Sequence, residues 1–281
     1  MSNKTWIVTG TSTGFGKELA ALLAQQEDVN LVATARHTDQ LDYLDQYDHG
    51  QILKHNLDVT NSDEIKDTIN NALEKFGTID VLVNNAGLGY FATFEESDLK
   101  EAKYMFDVNV WGLAEMTQAV LPTMRKQRFG AIVNFSSIGG LASFPIWSFY
   151  HGTKYAVEGI SESIAKETAD LGIKMMIVEP SGFRTDWAGR SSKKTMPTHD
   201  DYQKFAKDIT TNAAGAHHEP GDPKAAAKII YDEVTDNFAD LPLRLPLGKF
   251  SVDTAIEKYE NTLKEFKKSR DLSISADQPE K

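Results

Sequence analysis

Trp6-Ile7-Val8-Thr9-Gly10-Thr11-Ser12-Thr13-Gly14-Phe15-Gly16 is the stretch on which the fold turns. A short apolar run stops at a threonine and gives way to glycines and hydroxyls, and residues 16–24 then carry apolar side chains at helical spacing. A strand that passes through a glycine loop into a helix lets the backbone approach a pyrophosphate closely, with helix-terminal N–H groups facing the anion. The glycines are spaced G-x-x-x-G-x-G rather than G-x-G-x-x-G, so the loop draws its meaning from its strand-and-helix context. The same residues also fit G-x-S-x-G, the turn that carries the nucleophile of serine hydrolases, with Ser12 as nucleophile and His151, His199, His217 and His218 later in the chain. That arrangement needs an oxyanion donor from a loop after an earlier strand. Only nine residues precede Gly10, so the phosphate reading is preferred.

Outward from this loop, short β-rich runs at 30–34, 51–57, 80–83, 131–135, 173–178 and 243–247 alternate with helical patterns at 61–76, 114–125 and 156–171. Such alternation predicts an α/β fold: a doubly wound, Rossmann-like parallel sheet of about seven strands with helices on both faces. Thr60 and Asp63 read as a capping pair for the second helix. Asp222 followed by Pro223 reads as the N-cap and first residue of another helix, reaching about residue 234. A single domain spanning 1–281 is expected. Within it, the polar stretch at about 188–222, with a modest helical pattern at 202–210, reads as an insertion covering the substrate. Residues 265–281 read as a charged tail fraying into solvent.

Composition narrows the function. At 41% hydrophobic and 25% charged, the chain can bury a sizeable core, and its formal charge of −11 disfavours nucleic acid and anionic lipid as partners. Phosphate contact must then come from a local site. There is no cysteine, which excludes disulfides, thiolate catalysis and cysteine zinc sites. His217 and His218 sit in a polar loop and read as solvated residues, so no metal is expected. The N-terminal apolar run is too short for a signal peptide, and no run approaches the roughly 18 residues of a membrane span. The expected location is the cytoplasm.

Two further features point to chemistry. Ala33-Thr34-Ala35-Arg36 ends the second strand, where an acid would favour NAD and where an arginine can pair bidentately with a 2′-phosphate, so NADP(H) is favoured, with His37 and Thr38 assisting. Tyr150 and Lys154 are four residues apart and share a face if the segment is helical. A free phenol has a pKa of about 10, and nearby positive charge favours the phenolate. Alone the pair reads as an ordinary surface helix contact. Upstream, however, Ile132-Val133-Asn134-Phe135-Ser136-Ser137 ends a buried strand in two hydroxyls at the edge where ligands of such sheets bind.

Taken together, Thr9 to Gly16, Asn84-Asn85-Ala86-Gly87, Asn109, Ser137 and Tyr150 to Lys154 resemble the short-chain dehydrogenase/reductase family, with the serine thirteen positions before the tyrosine and the likeness covering about residues 5–190. The resemblance implies an oxidoreductase moving hydride between a nicotinamide and a carbonyl or alcohol. In it Tyr150 is general acid/base, Ser137 holds the substrate oxygen, Lys154 binds the nicotinamide ribose and lowers the phenol pKa, and Asn109 anchors a relay water. Tyr150 and Lys154 thus also contact the cofactor. Gly10, Thr11, Ser12, Thr13, Gly14, Phe15 and Gly16 would cradle its phosphates. Asp58 and Val59 would meet the adenine, and Asn85, Ala86 and Gly87 would pass near the ribose. Pro180, Gly182, Phe183 and Thr185 would face the nicotinamide, although Ser181 stands where the family pattern P-G-x-x-x-T has glycine.

The Glu179-Pro180 and Thr185-Asp186 pairs are similar to those of the subgroup containing steroid- and retinol-like dehydrogenases. Leu141, Phe144, Pro145, Trp147 and Phe149, with 88–91 and the insertion, would enclose an apolar small molecule. A homodimer or homotetramer is implied, paired through residues 114–125 and 149–171. A catalytically silent cofactor-binding protein is the alternative, and the complete set of Asn109, Ser137, Tyr150 and Lys154 argues against it.

Overall fold

The apolar runs pair side by side. In the computed structural model, which describes residues 3–187, 189–214 and 218–277, the strands are β1 (Lys4–Val8), β2 (Val29–Ala35), β3 (Ile52–Asn56), β4 (Val81–Asn84), β5 (Gly89–Phe91), β6 (Gly130–Phe135), β7 (Ile173–Pro180), β8 (Ser192–Lys194) and β9 (Arg244–Leu247). The helices are α1 (Gly14–Leu23), α2 (Ser62–Phe76), α3 (Leu99–Phe106), α4 (Leu113–Gln127), α5 (Ser148–Thr168), α6 (Ala206–Ala214), α7 (Pro223–Thr235) and α8 (Lys249–Ile274). Seven strands form one parallel sheet in the order β3-β2-β1-β4-β6-β7-β9, while β5 and β8 pair separately. The expected α/β fold and its strands are present.

Because successive strand side chains point to opposite faces, β1 sends Trp6 and Val8 into one core and Ile7 into the other. The first core is closed by Leu19 and Leu23 of α1 and Ile230 and Val234 of α7. The second is closed by Ile65 and Ile69 of α2 and Met116 and Val120 of α4. The strand order runs away from β1 on one side and from β4 on the other, so a crevice opens beyond their carboxyl ends, where such sheets bind ligands.

Several local readings are corrected. The N-cap of α2 is Asn61, whose side chain accepts from the Asp63 and Glu64 N–H groups and donates to Glu64 at 2.9 Å; Thr60 and Asp63 do not form the pair. α5 starts at Ser148, eight residues ahead of its predicted start, so Tyr150 and Lys154 lie on its first turns. The pattern at 202–210 divides into a 3₁₀ turn, Asp200–Phe205, and α6. α7 begins as read, with the Asp222 side chain accepting from Lys224 N–H at 3.0 Å. The tail expected to fray is helical to Ile274, while 278–281 lie outside the described residues. His218 is exposed and His217 lies outside the described residues. α3 and the π-helical stretch Asp107–Gly112 were not anticipated. Among the described residues no helix is long and apolar enough to cross a membrane.

Candidate active site

The crevice holds a cavity of about 600 Å³, and the glycine loop forms its floor. Gly10 has a φ of 71°, and a Cβ there would sit 3.0 Å from the Ala86 Cα, so the loop lies against the turn after β4 as only glycine permits. That turn is stapled to the loop. Asn85 Nδ2 donates to the Thr9 and Gly10 carbonyls at 2.8 and 3.0 Å, and the Asn85 and Ala86 N–H groups donate to Thr9 Oγ1 at 3.0 Å. Asn84, one residue back, ties the sheet through Thr117 and Asn134. α1 opens onto the cavity from Thr13, whose side chain makes no capping bond, and its first turn holds no acid. Its first N–H groups and the positive end of its dipole therefore suit an anion.

Gly10, Ser12, Thr13, Gly14 and Phe15 line the cavity, as do Arg36, Asp58, Val59, Asn85, Ala86, Gly87, Pro180, Gly182, Phe183 and Thr185. Thr11 and Gly16 stand behind the wall. Thr11 is fully buried, bonding the Thr34 carbonyl through its N–H and its hydroxyl. A Cβ on Gly16 would overlap Asn85 Nδ2 and the Gly10 carbonyl, so its small size lets α1 approach the loop. Arg36 is exposed at the end of β2, and Gln40, not His37 or Thr38, joins it at the cavity. Ser181 lines the cavity too, and its N–H donates to the Leu247 carbonyl at 3.0 Å, fixing the loop after β7 against β9.

At the other end Ser137, Tyr150 and Lys154 converge. Ser137 accepts the Gly139 N–H at 3.0 Å and acts on the Tyr150 phenol, whose ionisation it favours. Lys154 Nζ stands 5.8 Å from the Tyr150 ring centroid and donates to the Phe135 carbonyl at 2.8 Å. Burial pushes the Tyr150 phenol up, against a smaller lowering by Ser137. It also pulls the Lys154 ammonium down to about 8, with Glu158 opposing. On balance the phenol is raised, because withdrawal from water is the largest effect on it. Asn109 does not line the cavity. Its amide closes on the Leu88 backbone, accepting from N–H at 2.8 Å and donating to C=O at 2.9 Å, and it reaches Thr153 at 3.2 Å.

A sequence model of the family described as short chain dehydrogenase matches residues 4–196. The chain belongs to the short-chain dehydrogenase/reductase family. The oxidoreductase calM of Penicillium decumbens is 37% identical over 97% of this chain and 92% of that protein. A short-chain dehydrogenase from Streptomyces avermitilis is 35% identical, with a TM-score of 0.89 over 99% of this chain and all of its own. The structure of ElxO with NADP bound is 28% identical, with a TM-score of 0.74 over 89% of this chain and 99% of its own. The chain is accordingly an oxidoreductase.

Beside the motif residues of this short-chain dehydrogenase/reductase stands an aromatic wall. Trp187, Trp147 and Phe91 pack on one another, and Trp187 and Trp147 lie 4.8 and 5.8 Å from the Tyr150 ring. Phe144 and Phe250, from the first turn of α8, stand 6.0 Å apart across the mouth. Of the wall read from sequence, Phe144, Pro145 and Trp147 line the cavity. Leu141 instead packs with Ile138 and Ala255, and Phe149 stacks on Phe94. Tyr104, Trp187 and Phe250 escaped the sequence reading, since an isolated aromatic in a loop or helix carries no motif.

Ile146 has a φ of 67°, held by Ala92 N–H donating to its carbonyl at 2.9 Å and by packing with Phe91 and Ile209. Beneath the site, Glu158 and Glu179 are buried around Arg244 Nε at 3.4 and 3.7 Å. Burial, then Glu158, pushes the Glu179 carboxyl up to about 8, with Arg244 opposing.

Proposed function

We propose that this oxidoreductase uses NADP(H) to interconvert a carbonyl and an alcohol on an apolar small molecule, with Tyr150 as general acid/base. The observation that carries the reading is that one cavity joins the glycine loop and the open end of α1 to the Ser137, Tyr150 and Lys154 cluster. The donors fit a dinucleotide: uncapped N–H groups and hydroxyls for phosphates, Arg36 for a 2′-phosphate, and Asp58 with Val59 beside an adenine. When bound, the nicotinamide supplies or takes the hydride.

This chain's own residues handle the oxygen and the proton. Ser137 and Tyr150 hold the carbonyl oxygen, and Tyr150, kept protonated by burial, donates to the alkoxide as it develops. Lys154, still largely cationic at neutral pH, stabilises the phenolate left behind and binds the ribose. Asn109 acts behind them, holding the Leu88 turn and supporting the relay water. The aromatic wall excludes water and favours an apolar substrate. Residues 189–214, which bring Ser191 and Asp208 to the mouth, cover it. The enzyme is read as cytoplasmic and paired through α4 and α5.

Tyr150→Phe tests the reading. Turnover with a panel of ketones, aldehydes and alcohols is expected to fall about 100-fold or more, while NADPH still binds by fluorescence. Unchanged turnover overturns the assignment.

A further inference from the structure

α8 is anchored only at its start. Ser251 is buried and its hydroxyl donates to the Glu179 carbonyl at 2.6 Å, and Ala255 packs on Ile138, Leu141 and Ala142. From Ile256 to Ile274 every residue is exposed except the half-buried Thr262 and Ser269. At 1.5 Å per residue this is roughly 27 Å of helix with no covering element among the described residues. Isolated helices gain little from propensity alone and owe most of their stability to a packed face. Such a face exists: Val252, Ile256, Tyr259, Leu263 and Phe266 are all exposed and follow one another at intervals of four, three, four and three. That is the spacing of a two-helix seam, and it runs beside the stripe that Ser251 and Ala255 turn to the body.

We propose that α8 pairs antiparallel with α8 of a second copy of this chain along this seam. Charge along the helix selects the partner and its direction. Asp253 lies beside the first half of the seam, whereas Lys267 lies beside the second and Arg270 falls in line with it. Antiparallel copies set acid against base at both ends, and also oppose the helix dipoles favourably. Parallel copies would stack Lys267 and Arg270 on their own counterparts. Alignment about Asn261 places Ile256 opposite Phe266 and Tyr259 opposite Leu263 of the other copy, giving apolar layers across the middle. The surface is distinct from the one on α4 and α5. The pairing also bears on the cavity, because the same helix supplies Phe250 to its mouth.

The absence of native cysteine makes a clean test. In the full-length chain, Glu260→Cys lies beside the seam near its centre, so two copies meet there and a short bis-maleimide should join them into a covalent dimer. Val252→Cys should not self-link, because its counterpart is roughly 25 Å away in an antiparallel pair. Efficient linking of Val252→Cys overturns the direction, whatever Glu260→Cys does, and no linking of either overturns the pairing. Independently, Leu263→Glu with Phe266→Glu should halve the mass seen by sedimentation while leaving NADPH binding unchanged, since both residues are exposed and far from the cavity. An unchanged mass overturns the proposal, as would a monomeric wild type whose α8 binds anionic phosphatidylserine vesicles instead.

Discussion

The two ends of the cavity are made of different material. The floor near α1 is backbone: glycines, N–H groups and carbonyls locked by Asn85 and Thr9 onto the ends of the central strands. The far wall is side chain: Trp187, Trp147, Phe91, Phe144 and Phe250, brought from loops, the β5–β8 pair and the first turn of α8. A backbone site can serve only a ligand with constant geometry and fails when one atom is added. A side-chain wall can be reshaped residue by residue without disturbing the sheet.

That contrast can be broken by experiment. Gly16→Ala puts a Cβ into Asn85 and the Gly10 carbonyl, and NADPH affinity is expected to drop about 100-fold, the equivalent of the roughly 3 kcal/mol that overpacking costs. Titration of cofactor fluorescence reads it, and a loss below threefold would mean the floor yields as easily as the wall. Arg36→Ala should weaken NADPH roughly tenfold and leave NADH unchanged, as removal of a charge-assisted contact to a 2′-phosphate demands. Equal loss for both cofactors would remove the NADP(H) preference. Trp187→Ala, on the wall, should raise KM about three- to tenfold for apolar substrates and leave kcat nearly intact. A collapse in kcat would show that the wall positions Tyr150 as rigidly as the floor positions phosphate.

The smallest expected effect lies beneath both ends. Glu179 has its pKa raised to about 8 in the folded state, so its contribution to stability is full below the unfolded value near 4.5 and is lost as pH rises through about 8. Glu179→Gln keeps the neutral form at every pH. Thermal melts should coincide near pH 5, with the variant roughly 3–6 °C higher near pH 9. Parallel curves at both pH values would show that Glu179 does not titrate in this range.

The same division governs what could be read from the chain alone. Strands were found because their apolar runs are continuous and bounded, and the floor because Gly10, Gly14 and Gly16 fall at fixed intervals after one of them. Ser137, Tyr150 and Lys154 were found for the same reason, being local in sequence and fixed in spacing. The misses are non-local. Thr11 turned inward to Thr34 and Asn109 closed on Leu88, choices settled by partners far along the chain. Phe250 reaches the mouth only because Ala255 and Ser251 lay α8 across Ile138 and Glu179. The phenol and the lysine shifted opposite to a pairwise argument because burial, invisible in sequence, dominates both groups.

Ile146 carries one more implication. A branched side chain at a left-handed backbone position sits against an intrinsic preference of roughly 1–2 kcal/mol, and here the Ala92 hydrogen bond and the Phe91 and Ile209 contacts overrule it. The segment joining Ser137 to Tyr150 is therefore a loaded spring in the resting enzyme. Moving Phe91 or Ile209 therefore acts on the backbone at Ile146 as well as on the aromatic wall.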